Sequence, residues 1–209
     1  MKIAVIGSNG RVASLVAEEA LKRGYSVTGI ARNENKSQLT SFIQKDALSL
    51  TKEDLSNFDV VVDAVGGWSK ETIPNITNVM KHLANILVGM NVRLIVVGGA
   101  GSLFVNEERT MTVDMGPFFP EDWKPLSKAH GEGLAALRES KDLNWTYISP
   151  ACNFVADGEK TGQYKLGGEN LILSDKGESE ISYADYAIAL VDVIESGDHN
   201  KERISVVSK

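Results

Sequence analysis

The sequence predicts an α/β fold: a doubly wound, mostly parallel sheet with helices on both faces. Three observations carry this expectation. Short apolar runs alternate with amphipathic stretches along the 209 residues. Runs such as Asp59–Asp63 are apolar through their middle, as strands buried on both faces are. The alternation implies parallel strand–helix–strand units with right-handed crossovers. The length suits one well-buried domain, taken as residues 1–209.

The elements follow in order. Lys2–Ile6 reads as a strand, and Val12–Leu21 as a helix with Ala13, Val16, Ala17, Ala20 and Leu21 on one face. Tyr25–Ala31, Phe42–Gln44 and Asp59–Asp63 read as the next three strands. Pro74 suits the first turn of a helix that carries Ile76, Val79, Met80, Leu83, Leu87 and Met90 at helical spacing. Arg93–Val97 is a fifth strand, and a helix near Ala129–Lys141 leads into a sixth, Trp145–Ser149. Ser182 with Asp185 has the spacing of a capping box for the helix Tyr183–Glu195, and Arg203–Val207 is a last strand. Two segments break the rhythm. Residues 103–128, rich in Phe, Met and Pro, and the Gly-rich residues 156–181, with strand-like pieces at Gln163–Leu166 and Leu171–Leu173, are expected to be substrate-side loops.

Composition excludes several functions. The net charge of −6 and the absence of a basic block argue against nucleic acid and anionic membrane as partners. No apolar run reaches spanning length, and the N-terminal stretch Ile3–Ile6 runs into a glycine turn rather than a cleavage site. Cys152 is the only cysteine, which fits a reducing, cytoplasmic location and leaves no cysteine-rich metal site. No His or carboxylate spacing suggests a metal either.

The turn Gly7-Ser8-Asn9-Gly10-Arg11-Val12-Ala13 sits between the first strand and the first helix. Gly7 permits a tight turn and Gly10 a close backbone approach to a pyrophosphate. The free N–H groups of the helix start then face the anion, and Ala13 is small enough for close helix–strand packing. The string alone is weak in a chain with 19 glycines. Its place in a strand–turn–helix–strand unit makes it a Rossmann-type dinucleotide cradle. An NAD site usually ends its second strand on an acid, for the ribose 2′-hydroxyl. Here the strand ends on Arg32, and Arg11 is a second candidate cation. A guanidinium fork suits a 2′-phosphate, so NADP(H) is expected over NAD(H). Asp46 stands where an adenine amino group would be held.

These residues, with Asp63-Ala-Val-Gly-Gly67, Leu94-Ile-Val-Val-Gly-Gly-Ala-Gly-Ser102 and Ser182-Tyr-Ala-Asp-Tyr-Ala187, resemble the atypical short-chain dehydrogenases/reductases. More narrowly, the chain resembles small NAD(P)H-binding proteins named, often by similarity alone, NADH-flavin reductases. They are related to biliverdin reductase B and to the nitrogen-metabolite-repressor-like group. The resemblance spans nearly the whole chain. It implies further cofactor contacts at Ala47 after the third strand and at Ala64, Val65 and Gly66 after the fourth. Gly98 and Gly99 after the fifth strand, and Pro150 and Ala151 after the sixth, complete the implied set. It also implies catalytic roles for Ser102, after the fifth strand, and for His130.

The larger family uses Tyr-x-x-x-Lys, and none of Tyr25, Tyr147, Tyr164, Tyr183 or Tyr186 is followed four residues later by lysine. A ketone needs a proton on oxygen as hydride arrives, and losing a positioned acid typically costs about 10²–10⁴-fold. A flavin or quinone tolerates that loss, because the anion formed is delocalised. The expected activity is therefore NADPH-dependent hydride transfer to a flat small-molecule acceptor, with flavin as substrate rather than prosthetic group. Trp68, Phe104 and Phe154, at the carboxyl edge of the sheet, are the expected substrate wall, with Phe118, Phe119 and Trp123 as a cover. Cys152 is expected to be a small buried filler. A non-catalytic NADP(H) sensor and an epimerase-like enzyme are the alternatives, and the chain is expected to be a monomer or weak homodimer.

Overall fold

The computed structural model describes residues 1–209. Ten strands and five α-helices run in the order β1 (Lys2–Ile6), α1 (Arg11–Lys22), β2 (Ser26–Ala31), β3 (Ser41–Gln44), α2 (Lys52–Leu55), β4 (Val60–Asp63), α3 (Ile73–Leu87) and β5 (Arg93–Val97). They continue with α4 (Lys124–Glu139), β6 (Asn144–Ser149), β7 (Asn153–Val155), β8 (Tyr164–Gly167), β9 (Glu180–Ser182), α5 (Tyr183–Ser196) and β10 (Glu202–Ser208). Eight strands form one sheet in the order β3-β2-β1-β4-β5-β6-β10-β8. All neighbours are parallel except β8, which closes the edge antiparallel to β10. This is the doubly wound α/β architecture, and the strand order reverses direction at β1 and β4.

Uninterrupted apolar runs are required because both faces of the sheet are covered. Ile3, Val5, Val60, Val62 and Ile95 point into one core, shared with residues of α1 and α5. Their neighbours Ala4, Ile6, Val61, Leu94 and Val96 point into the other, shared with α3 and α4. Successive side chains of a strand serve opposite cores, so every interior position is apolar.

Several expected boundaries move. The helix expected near Ala129–Lys141 begins five residues earlier, at Lys124, with Pro125 in its first turn. Met90 lies beyond the end of α3. Leu171–Leu173 is not a strand: its backbone is tied to Phe104 by the neighbouring Asn170 bridge and by the Leu171 N–H bond to the Phe104 carbonyl, while Ile172 packs on the core. Half of the expected capping box forms. The Asp185 N–H donates to the Ser182 hydroxyl, while the Asp185 carboxylate accepts from the backbone N–H groups of Thr161 and Gly162. The complete box is Thr51 with Asp54, at the start of α2. The small parallel pair β7 and β9 was not expected, because three-residue strands carry too little periodicity to read.

Candidate functional site

The crevice lies at the carboxyl edge between β1 and β4, where open α/β sheets bind ligands. Gly7 leaves β1 with φ +79°, a region that favours glycine. A Cβ there would also stand 2.8 Å from the Ala64 carbonyl oxygen, so the turn and the β4 loop meet backbone to backbone. The Gly10 N–H donates to the Gly7 carbonyl at 2.8 Å, which closes the turn. Gly10 then caps α1 without a side-chain hydrogen bond, leaving the first N–H groups of the helix open to an anion.

From this turn a cavity of about 980 Å³ runs across the sheet edge. At one end lie Arg32, Asn33, Asp46 and Ala47, and in the middle Gly7, Gly10, Arg11, Val12, Ala64, Val65 and Gly66. At the other end lie Gly98, Gly99, His130, Pro150, Ala151 and Phe154. The length of this run, the bare helix start and the absence of side chains at positions 7 and 10 fit a dinucleotide.

Asn9 shapes the first end. Its side-chain amide donates to the Glu34 carbonyl and accepts from the Lys36 N–H, both at 2.9 Å, so it staples the loop that follows Arg32. Arg32 is exposed on the cavity rim and forms no ion pair. Arg11 is placed differently from expectation: its guanidinium pairs with Asp157 and lies 5.7 Å from the centroid of the Tyr183 ring. Asp46 keeps one carboxylate oxygen on the Leu48 N–H at 2.9 Å, so it serves as a helix cap as well as a cavity residue.

Residues 7–197, which hold this turn and the cavity, match the NAD(P)H-binding proteins. The chain belongs to that NAD(P)H-binding family. It is 40% identical to YwnB, an uncharacterised protein of Bacillus subtilis (strain 168), over 100% of this chain and 99% of that one. A candidate NADH-flavin reductase from Streptococcus pneumoniae TIGR4 is 50% identical, with a TM-score of 0.97 and 100% of both chains covered. A candidate epimerase from Bacteroides thetaiotaomicron is 33% identical, with a TM-score of 0.86 over 99% of this chain and 96% of that one.

Three expected site residues of this NAD(P)H-binding chain turn away from the cavity. Ser8 is fully buried, with its hydroxyl against Gly29, because the tight turn points its side chain down into the fold. Ser102 is held from behind by Arg203, which donates from one guanidinium nitrogen to its hydroxyl and from another to its carbonyl, each at 3.0 Å. Phe104 is tied into the bridge with Thr112 and Asn170, and the Arg203 guanidinium stands 5.9 Å from its ring centroid. All three lie outside the cavity wall. Cys152 is a correction of the opposite kind: it is exposed and on the wall rather than a buried filler.

Aromatic residues gather at the end of the cavity away from Arg32. Phe154 lines the cavity, its ring 4.2 Å from that of Tyr183 and 4.9 Å from that of Tyr186. Trp68, Phe118, Phe119 and Trp123 line the mouth, with Trp68 79% and Phe118 96% exposed. Four of the five tyrosine hydroxyls are already hydrogen-bonded: Tyr25 to Glu195, Tyr164 to Asp192, Tyr186 to the Ile148 carbonyl, and Tyr147, behind the cavity wall, to the Gly99 N–H and His130 Nδ1. Tyr183 alone lines the cavity, and no lysine does.

Asp63 has an environment that the sequence did not reveal. It ends β4, is 3% exposed, and accepts from the Val65 N–H at 3.1 Å. Burial pushes its carboxyl up to about 7, against the lowering effect of that hydrogen bond. The folded state therefore holds a proton that the unfolded chain releases near the ordinary Asp value. Stability is fully present below about pH 4 as far as this group is concerned, and is lost as pH rises through about 7. Asp63→Asn is expected to raise the melting temperature by several degrees at pH 8 and by clearly less at pH 5, as thermal unfolding at the two pH values would show.

Proposed function

We propose that this protein is an NADPH-dependent reductase of flat acceptors such as free flavins or quinones. The observation that carries the reading is the single cavity that joins a dinucleotide cradle to an aromatic-lined slot with no Tyr–Lys acid. The bound dihydronicotinamide supplies the hydride. The chain supplies the rest: the Gly7–Val12 turn holds the pyrophosphate, Phe154 offers an apolar wall, and the exposed aromatic residues at the mouth offer surface on which a flat ring can stack. Orientation and stacking dominate the rate of such a reaction. The near-identity of fold with the streptococcal candidate NADH-flavin reductase supports this reading. Purified protein should oxidise NADPH with a panel of flavins and quinones, and should turn over simple ketones poorly.

Preference for NADPH rests on Arg32, a free guanidinium at the adenosine end where an NAD enzyme carries an acid. One charge-assisted contact is worth roughly 1.5–3 kcal/mol. Arg32→Ala should then weaken NADPH by about ten-fold or more and leave NADH nearly unchanged in calorimetric titrations. Equal weakening of both cofactors would show that Arg32 does not read the 2′-phosphate.

A further inference from the structure

Gly98 and Gly99 make room for two rings. A Cβ at Gly98 would fall 2.2 Å from the Tyr147 ring, and one at Gly99 would fall 3.0 Å from the His130 ring. Tyr147 comes from β6 and His130 from α4, and both rings close on the backbone just beyond β5. The Tyr147 hydroxyl is 2.9 Å from the Gly99 nitrogen and 3.3 Å from His130 Nδ1.

The proton positions follow from counting donors. The Gly99 N–H can only donate, so the Tyr147 oxygen accepts from it. The hydroxyl proton then has one acceptor in reach, His130 Nδ1. A neutral imidazole that accepts at Nδ1 carries its proton at Nε2. Nε2 has no protein partner, yet it is not among the buried polar atoms that lack one, which are Ser8 Oγ, Arg93 Nε and Ser149 Oγ. It therefore keeps some exposure, on a half-buried residue that lines the cavity. Burial also drives the imidazole pKa down to about 4, which keeps the ring neutral.

We propose that Tyr147 is a positioning residue that fixes His130 as a neutral Nε2–H donor to the acceptor molecule in the cavity. The proposal deepens the reductase reading and rests on it for the identity of the ligand. It names the substrate class more narrowly: a flat ring with a conjugated carbonyl oxygen or ring nitrogen that accepts a hydrogen bond. As the C–H bond of the reduced cofactor breaks and its two electrons enter the acceptor, that atom gains negative charge. A fixed N–H aimed there strengthens its bond in the transition state. The neutral imidazole keeps its own proton, so the proton that completes the reduction comes from water.

The test has two arms. Long-range nitrogen–proton NMR on the whole protein reads the His130 tautomer without turnover. Wild type should show Nε2–H alone, and Tyr147→Phe should show a mixture. Riboflavin added to the NADP⁺ complex, which cannot react, should shift the wild-type Nε2 signal. In the kinetic arm, His130→Leu should lower kcat by about 10²-fold with NADPH affinity kept, and His130→Gln should recover part of the loss through its amide donor. Tyr147→Phe should lower kcat by about ten-fold at unchanged NADPH affinity. An Nδ1–H tautomer in wild type, an unmoved Nε2 signal with riboflavin, or wild-type turnover in His130→Leu would each overturn the proposal. Absence of turnover in wild type with every acceptor would instead count against the reductase reading, and the NMR arm would still decide the tautomer.

Discussion

Gly10→Val is expected to fold and to lose dinucleotide binding. The backbone at Gly10 is extended, at φ −79° and ψ 155°, which valine adopts readily. A Cβ there would sit 3.1 Å from the Gly7 carbonyl oxygen, a crowded contact in a solvent-facing turn and not in the core. The added methyl groups would stand over the open N–H groups at the start of α1, where the pyrophosphate must come close. Calorimetric titration should give no detectable NADPH heat, while far-ultraviolet circular dichroism should match wild type. Unchanged affinity in the folded variant would show that the dinucleotide binds elsewhere.

The second large effect concerns the acceptor. Simple ketones should be reduced at least about 10²-fold more slowly than quinones, since no tyrosine–lysine pair faces the cavity. Tyr183 is the one tyrosine whose hydroxyl could be suspected, so Tyr183→Phe should leave quinone turnover within a few-fold. Phe154→Ala should cost more, because it removes the wall and leaves Tyr183 and Tyr186 without the ring they pack on. Steady-state rates of these two variants, with NADPH affinity measured alongside, separate the cases. A Tyr183→Phe protein that binds NADPH but is inactive would mean that Tyr183 is the acid.

The sequence made the sheet and the cradle legible because both are written in local chemistry. Lys2–Ile6 followed by Gly7–Ala13 is a strand, a turn and a helix start in consecutive residues, and the apolar runs of β4 and β5 follow from burial on two faces. Ser102 and Phe104 were misplaced for a non-local reason. Their orientation is set by Arg203, a hundred residues on in the chain, whose guanidinium is buried and also pairs with Glu169. The same limit hid the Tyr147–His130 contact, and hid the burial of Asp63 beneath the crevice. Gly98 and Gly99 were read as cofactor contacts, and they do line the cavity. That they also seat two aromatic rings appears only once β5, β6 and α4 are brought together.

The account is tested most directly by a single turnover. The preformed NADPH complex of the wild-type protein, mixed without oxygen with a quinone, should lose its reduced nicotinamide signal in one exponential phase, one equivalent per protein. The rate should rise with quinone concentration and level off as the slot beside Phe154 fills. A tight NADPH complex that keeps that signal with every flavin and quinone tried would contradict the account and leave a dinucleotide-binding protein without reductase activity.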